Sequence, residues 1–150
     1  MQVRDLPCDI LVLGGGMGGC AAALAASRMG YQVCLTEENH WLGGQCTSQG
    51  VSALDEHCYI ETFGGTATYG EFRQRIRAYY QDNYRLTPEA QAAPYLNPGG
   101  GWVSRLCFEP KTGLEVLRAM LGPTRVLLES RVVAAQVESD RILSVTVARA

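Results

Sequence analysis

Three glycines at fixed spacing are the residues of this chain that point most directly to chemistry. Gly14, Gly16 and Gly19 follow the apolar run Ile10–Leu13 and precede an alanine-rich stretch. This order of strand, glycine turn and helix is the arrangement that binds a dinucleotide. Gly14 would make the tight turn, Gly16 would let the backbone approach a pyrophosphate, and Gly19 would let the helix lie close to the strand.

The start of the predicted helix supplies the complementary charge for a diphosphate. Backbone N–H groups in the first turn of a helix lack helical partners, and the helix dipole favours an anion there. We therefore predict that Gly14, Gly16, Met17, Gly18 and Gly19 bind the diphosphate of a cofactor. The alternative is a tight strand-to-helix turn without a ligand.

A carboxylate follows the second predicted strand, Gln32–Thr36, which begins after the helix-terminating Gly30. The strand ends in Glu37-Glu38. An acid in this position can accept hydrogen bonds from a ribose diol and would repel a 2′-phosphate. We favour Glu37 because it directly follows the strand, and the alternative for it is a solvated loop charge.

A double glycine, Gly43-Gly44, follows the acid after five residues. At this point the chain resembles the FAD-dependent oxidoreductases of the two-dinucleotide-binding-domain type. The resemblance implies that FAD is the cofactor, that Glu37 contacts the adenosine ribose, and that Gly43 and Gly44 lie against the pyrophosphate and its neighbouring sugar. The wider run Leu42–Asp55 resembles one branch of these enzymes whose substrate is uncharacterised.

The segment after the double glycine carries amide and hydroxyl groups in Gln45, Thr47, Ser48 and Gln49. In the resembling family this segment passes near the isoalloxazine ring, so the resemblance implies hydrogen bonds from such groups to the flavin. We take Gln45 and Ser48 as cofactor contacts. The flavin would carry the redox chemistry, while the protein orients it and tunes its potential.

No residue is identified as catalytic, but two positions leave alternatives open. Cys46 lacks the second cysteine of a dithiol flavoreductase, because Val51 occupies that position, so it cannot form a redox-active disulfide. It is either a lone catalytic thiol or a small residue packed near the cofactor. His57 is either an acid or base near the flavin or a surface histidine.

The composition is that of a globular domain, with 150 residues of which 47% are apolar and 19% charged. A net charge of −2 gives no electrostatic basis for binding nucleic acid or an anionic membrane. No apolar run approaches the ~20 residues of a membrane span. We therefore expect that its partners include neither nucleic acid nor membrane.

The chain has six cysteines, namely Cys8, Cys20, Cys34, Cys46, Cys58 and Cys107. They form no CxxC pair and no close-spaced cluster with histidine, so we predict no metal site. A disulfide scaffold is usually a small chain without a nucleotide-binding core. We therefore expect reduced thiols in a cytoplasmic protein, with Cys8, Cys20, Cys34 and Cys107 as small core residues.

The remaining elements follow from periodicity and breaker residues. Residues 38–67 are predicted to be mostly loop, and a helix over 69–84 is expected to begin at an N-cap Thr68. Its arginines, Arg73, Arg75 and Arg77, are expected to lie on a solvated face, and the alternative is that one of them binds phosphate or substrate. Residues 85–101 read as a flexible connection or lid, 102–108 as extended, 110–121 as a helix ended by Gly122, and 125–128, 131–137 and 142–148 as strands.

These observations predict an α/β chain with a Rossmann-like FAD/NAD(P)-binding fold, incomplete, and with the start of a β-meander at its C-terminal end. Residues 1–150 would form the N-terminal, FAD-binding portion of an oxidoreductase that transfers hydride or electrons through FAD to or from a small-molecule substrate. The resembling family's later Gly-Asp signature and its substrate domain are absent from this sequence. We therefore expect a C-terminal portion of the same enzyme as a partner and no activity from this chain alone. The alternatives are an NAD(P)-binding Rossmann domain and a truncated, non-catalytic nucleotide-binding chain.

Overall fold

The computed structural model describes residues 4–149. The chain divides into two compact units. The first unit takes the residues up to Leu42 together with those from Leu121 onward, and the second unit is Gly43–Met120. The second unit is therefore inserted in the sequence between two strands of the first.

A three-stranded parallel sheet forms the centre of the first unit. Its strands are β1 (Ile10–Leu13), β2 (Val33–Thr36) and β3 (Arg125–Leu127), in the order β1-β2-β3. All four residues of β2 are buried, as is typical of a central strand in a sheet with parallel neighbours. This arrangement confirms the predicted Rossmann-like α/β fold.

Helix α1 (Met17–Arg28) connects β1 to β2 and packs on the sheet through small side chains. Cys20 and Ala23 are fully buried, and Leu24 is nearly so. Small residues on this face let the helix axis lie close to the strands. Gly30 follows the helix with a φ of 91°, a left-handed conformation that glycine adopts without strain.

An antiparallel hairpin closes the chain in the first unit. Strand β4 (Ser130–Glu138) pairs with β5 (Arg141–Arg149) across the turn Ser139-Asp140. Its ladder is irregular at two places, where register shifts interrupt the pairing. The hairpin confirms the predicted start of a meander, and each strand end falls within one residue of the sequence prediction.

The second unit is mainly helical, with α2 (Ala67–Asn83), α3 (Pro88–Ala92) and α4 (Pro110–Leu121) as its helices; only the last residue of α4 falls outside it. Its core contains Phe72 and Ile76 of α2, and Leu114 and Leu117 of α4. Phe72 meets Phe108 edge-on, with ring centroids 5.9 Å apart. Edge-to-face contact is a favoured geometry for aromatic pairs in a core.

Helix α2 begins two residues earlier than predicted. Thr66, and not Thr68, is the N-cap, because its hydroxyl oxygen accepts a hydrogen bond from the Tyr69 N–H at 3.2 Å. Thr68 instead lies in the first turn. Two threonines separated by one residue satisfy the same sequence rule, so the capping hydrogen bond decides between them.

The predicted loop 85–101 contains the short helix α3, capped by Thr87. Residues 102–108, predicted to be extended, form no strand, and only Cys107 makes an isolated bridge, to Ala53. The Asn97 side-chain amide donates to the carbonyls of Gly101 (3.0 Å) and Ser104 (3.2 Å) and so folds this segment back on itself. Among the described residues, no helix combines the length and apolar character needed to cross a membrane.

Candidate functional site

The glycine turn between β1 and α1 has the geometry that the sequence predicted. Gly14 has a φ of 96°, and its N–H donates to the Thr36 carbonyl oxygen at 3.1 Å. A Cβ on Gly19 would lie 1.8 Å from the Gly14 carbonyl oxygen. Gly14 is therefore required by the backbone conformation, and Gly19 by the close approach of helix to turn.

Gly16 has no comparable reason within the chain. Its φ of −62° and ψ of −179° are open to any residue. Apart from the flanking residues and the neighbouring backbone of α1, no atom of the described residues lies within 4 Å of a Cβ built on Gly16 or on Gly18. The space in front of this turn is open, and a side chain would fill it.

The N-terminus of α1 adds an electropositive character to that space. Gly16 is the N-cap, Met17 is the first helical residue, and in the described part of the chain no side chain caps this end. The first turn also carries no acidic residue. Free N–H groups and a helix dipole beside an open cradle are the features that a diphosphate requires, so these residues fit the pyrophosphate of a dinucleotide.

The Glu37 side chain is buried beside this turn and is 6% exposed. Its Oε2 atom accepts a hydrogen bond from the Gly15 N–H at 2.9 Å. Its Oε1 atom accepts from the backbone N–H of Asn39 at 2.8 Å and from its side-chain amide at 2.7 Å. Glu37 is therefore not a solvated loop charge, whereas the neighbouring Glu38 is exposed.

The double glycine lies in the second unit, where it starts a single 3₁₀ turn, Gly44–Cys46. Gly43 has a φ of 97°, and a Cβ there would lie 2.7 Å from both Leu117 and Thr47. The fold of this unit alone therefore requires glycine at position 43. Gln45 and Ser48 are exposed, and the Ser48 hydroxyl donates to the Gly44 carbonyl oxygen at 3.3 Å. FAD contacts by these four residues stay a prediction.

Cys46 is 1% exposed. Burial, together with the negative charge of Glu56, raises the pKa of its thiol to about 11. A cysteine acts as a nucleophile through its thiolate, and little thiolate forms at neutral pH with such a pKa. These properties favour the packed residue over the catalytic thiol.

The other cysteines and the histidines occupy ordinary positions. All six cysteines are free thiols; Cys20, Cys34 and Cys107 are buried as predicted, whereas Cys8 is only partly buried. His57 is exposed, its ring faces Phe63 at a centroid distance of 5.8 Å, and its Nδ1 atom accepts from the Tyr59 N–H at 3.2 Å. This environment favours the surface histidine. Among the described residues, no group of three or more His, Cys, Asp or Glu side chains could hold a metal ion.

The sequence prediction missed a buried group of charges in the second unit, which we call the Arg–Glu cluster: Glu56, Glu61, Arg73 and Arg77. Arg73 donates to both glutamates. Arg77 donates to Glu61 at 2.6 Å and 3.0 Å, and the Ser104 hydroxyl donates to Glu56 at 2.8 Å. The two positive and two negative charges balance, which is the condition under which charges are tolerated in an interior.

This cluster corrects the predicted solvated face of α2. The side chains of Arg73 and Arg77 are only 3% and 13% exposed. The prediction holds for Arg75, which is 49% exposed and pairs with Glu71 on the surface. Burial alone would raise the pKa of Glu61, but hydrogen bonds and charges from Arg77 and Arg73 outweigh burial and lower that pKa.

Nearly the whole chain matches a known protein family. A family model described as FAD dependent oxidoreductase matches residues 9–150. The chain belongs to the FAD-dependent oxidoreductase family. Membership confirms the resemblance that the sequence motifs carry, and FAD is the cofactor of this family.

Two curated relatives of this family member align over parts of their length. The soluble pyridine nucleotide transhydrogenase of Mycobacterium bovis (strain BCG / Pasteur 1173P2) is 43% identical over 84 residues, covering 53% of this chain and 16% of that protein. The mitochondrial dihydrolipoyl dehydrogenase of Bos taurus is 38% identical over 47 residues, covering 31% of this chain and 9% of that protein. The chain therefore spans less than a fifth of these relatives.

A solved structure shares the fold over nearly the whole chain. L-amino acid deaminase from Proteus vulgaris superposes with a TM-score of 0.50 at 15% identity, over 97% of this chain and 51% of that one. An identity this low shows the fold alone.

Proposed function

We propose that this chain binds the ADP half of FAD at the turn Gly14–Gly19, as part of an enzyme that transfers hydride or electrons between the flavin and a small organic substrate. The bound flavin would supply the redox chemistry. The role of the described residues is to bind and orient the cofactor. Family membership supports the reaction class, and the geometry of the turn supports the place of binding.

The observation that carries this proposal is the open face of Gly16. A fold requires glycine where the backbone is left-handed or where a Cβ would collide with a neighbouring atom. Gly16 has an ordinary φ of −62°, and a Cβ on it would meet none of the described residues within 4 Å. The fold itself therefore does not require glycine at position 16, and the backbone there is open to a ligand. A pyrophosphate that lies against the backbone would require the absence of a side chain at this position.

Further residues are assigned to FAD by the family resemblance. Glu37 would accept a hydrogen bond from the adenosine ribose. Gly43 and Gly44 would lie against the pyrophosphate and its neighbouring sugar, and Gln45 and Ser48 would make hydrogen bonds to the flavin. We also propose that the enzyme acts in the cytoplasm and that a further portion of the same protein binds the substrate.

An absorption spectrum tests the cofactor. The intact protein that contains this chain should be yellow after purification, show oxidised flavin bands, and lose them when dithionite is added. Heat denaturation should release FAD, identified by chromatography. A colourless protein that carries NAD(P) would contradict the proposal.

The identity of the released flavin tests the site. FMN has the flavin ring but no ADP half, so a protein that carries FMN would contradict the role of the glycine turn. Free ADP contains the diphosphate and ribose that this turn should bind, and we expect it to compete with FAD for the apoprotein. Adenosine lacks the diphosphate and serves as the matched control, with weaker competition expected.

A further inference from the structure

Asn39 holds the Glu37 carboxylate with two donors at once. Its backbone N–H and its side-chain amide both donate to Oε1, at 2.8 Å and 2.7 Å. The Gly15 N–H donates to the other oxygen, Oε2, at 2.9 Å. The carboxylate is thus fixed between the glycine turn on one side and Asn39 on the other.

Asn39 is itself held by the connection between β3 and β4. The Glu129 N–H donates to the Asn39 carbonyl oxygen at 3.3 Å, and the Ser130 N–H donates to the Glu37 carbonyl oxygen at 2.9 Å. His40 lies 3.3 Å from the Glu129 carboxylate. The backbone from Glu37 to Asn39 is therefore positioned by contacts that do not involve the cofactor.

The number of acceptor positions on Glu37 then limits what else it can bind. An ionised carboxylate offers about four acceptor positions, two on each oxygen. Asn39 fills both positions on Oε1, and Gly15 fills one on Oε2. One position remains, and it is on Oε2.

We propose that Asn39 is a positioning residue that restricts Glu37 to one hydrogen bond, through Oε2, with the adenosine ribose of FAD. The proposal rests on the function proposed above and specifies how the ribose is recognised. Without the Asn39 side-chain amide, the carboxylate would have a free acceptor position on each oxygen and could bind both hydroxyls of the diol. With the Asn39 amide in place, one ribose hydroxyl donates a hydrogen bond to Glu37 and the other does not.

The test measures FAD affinity by flavin fluorescence on the apo form of the intact protein, with FAD and its 2′-deoxyadenosine and 3′-deoxyadenosine analogues. Glu37→Gln is compared with the parent for each ligand. Since each variant meets ligands that differ by one hydroxyl, a general loss of folding cancels in the comparison. We expect Glu37→Gln to abolish the preference for FAD over one analogue and to leave the preference over the other unchanged.

Asn39→Ala is the deciding variant. Alanine keeps the backbone N–H on Oε1 but removes the side-chain amide, which frees one acceptor position for the second ribose hydroxyl. We therefore expect Asn39→Ala to gain a preference of about fivefold, the equivalent of one ordinary hydrogen bond, for FAD over the analogue that the parent does not distinguish from FAD. Ser130→Ala is the matched control: it removes the hydroxyl that donates to the Leu128 carbonyl oxygen at 2.8 Å, without touching the carboxylate. It should affect both ligands equally.

The outcomes separate this inference from the proposed function. If Glu37→Gln changes the preference over neither analogue, Glu37 does not contact the ribose and the proposed site is wrong. If Glu37→Gln acts equally on both hydroxyls, the carboxylate binds the diol with two hydrogen bonds and the inference is overturned. If Asn39→Ala weakens FAD and both analogues by the same factor, Asn39 supports only the fold and the inference is again overturned.

Discussion

Glycine-rich segments occur in both compact units, at residues 14–19 in the first and 98–101 in the second. A Cβ on Gly16 would meet no described residue within 4 Å, whereas a Cβ on Gly99 or Gly101 would lie 2.8 Å or 2.4 Å from Cys107. The first segment has an open face, and the second is filled by a side chain of its own unit. Glycine content alone therefore does not indicate a ligand; the direction in which the missing side chain would point does.

The second segment is also closed by hydrogen bonds. The Gly99 N–H donates to the Cys107 carbonyl oxygen at 2.8 Å, and the Cys107 N–H donates to the Asn97 side-chain oxygen at 2.7 Å. These contacts bring the two ends of the loop together. Gly99 and Gly101 therefore serve close packing, whereas Gly100 has a φ of 60° that favours glycine.

The largest effect should come from Gly19→Ala, which breaks the packing in the first segment. The added Cβ would lie 1.8 Å from the Gly14 carbonyl oxygen, and backbone atoms on both sides cannot move apart without distorting the turn. We expect a loss of about 3 kcal/mol or more in the free energy of unfolding, measured with urea.

Gly18→Ala is the control for that prediction. Position 18 lies in the same turn of α1, and its Cβ would meet no described group within 4 Å. The free energy of unfolding of Gly18→Ala should stay within about 0.5 kcal/mol of that of the parent. A large loss for Gly18→Ala, or none for Gly19→Ala, would contradict the distinction between open and packed glycines.

A smaller effect is expected from Gly101→Ala in the second segment. Its Cβ would lie 2.4 Å from the Cys107 sulfur atom, so we expect a loss of about 2 kcal/mol in the free energy of unfolding. Cys107→Ala removes that sulfur and should relieve most of the added cost. A double-mutant cycle measures the relief, and additive losses would show that the glycine is not needed for this contact.

The smallest expected effect is a loss of stability in acid, which arises from the Arg–Glu cluster of the second unit. Because the Arg–Glu cluster lowers the pKa of Glu61 in the folded state, the stability that this group contributes is present above its unfolded pKa, about 4.3. That stability is lost as the pH falls through the lower folded pKa. Urea unfolding from pH 6 downward should show the decrease.

Glu61→Gln serves as the comparison in that titration. The amide does not ionise, so the variant should be less stable at pH 6 but should lose less stability on acidification. An identical pH dependence in parent and variant would show that Glu61 does not carry the effect.

The sequence could predict those features whose signals lie close together in the chain. Strand β1 and helix α4 were predicted with their observed ends, because Gly14 follows the first, and Pro110 and Gly122 bracket the second. The glycine turn was recognisable because three spaced glycines follow a strand. The FAD family was likewise recognisable from the acid and the double glycine.

The features that the sequence could not predict depend on partners that are distant in the chain. The charges of Arg73 and Arg77 suggested a solvated face, but their partners Glu56 and Glu61 come from the preceding loop. No periodicity reports such a pairing. The hydrogen bonds from Asn39 to Glu37 could not be predicted for another reason. They depend on the direction of both side chains, which the residue types do not reveal.

The central claim is that a pyrophosphate lies against the backbone at Gly16. Gly16→Val tests it most directly, because valine is compatible with the local φ of −62° and its side chain would extend into the open space. We predict that FAD affinity of the intact apoprotein falls by about a hundredfold or more, as several polar contacts of ~1 kcal/mol each are lost. The urea midpoint should stay unchanged. A folded variant that binds FAD as tightly as the parent would contradict the claim.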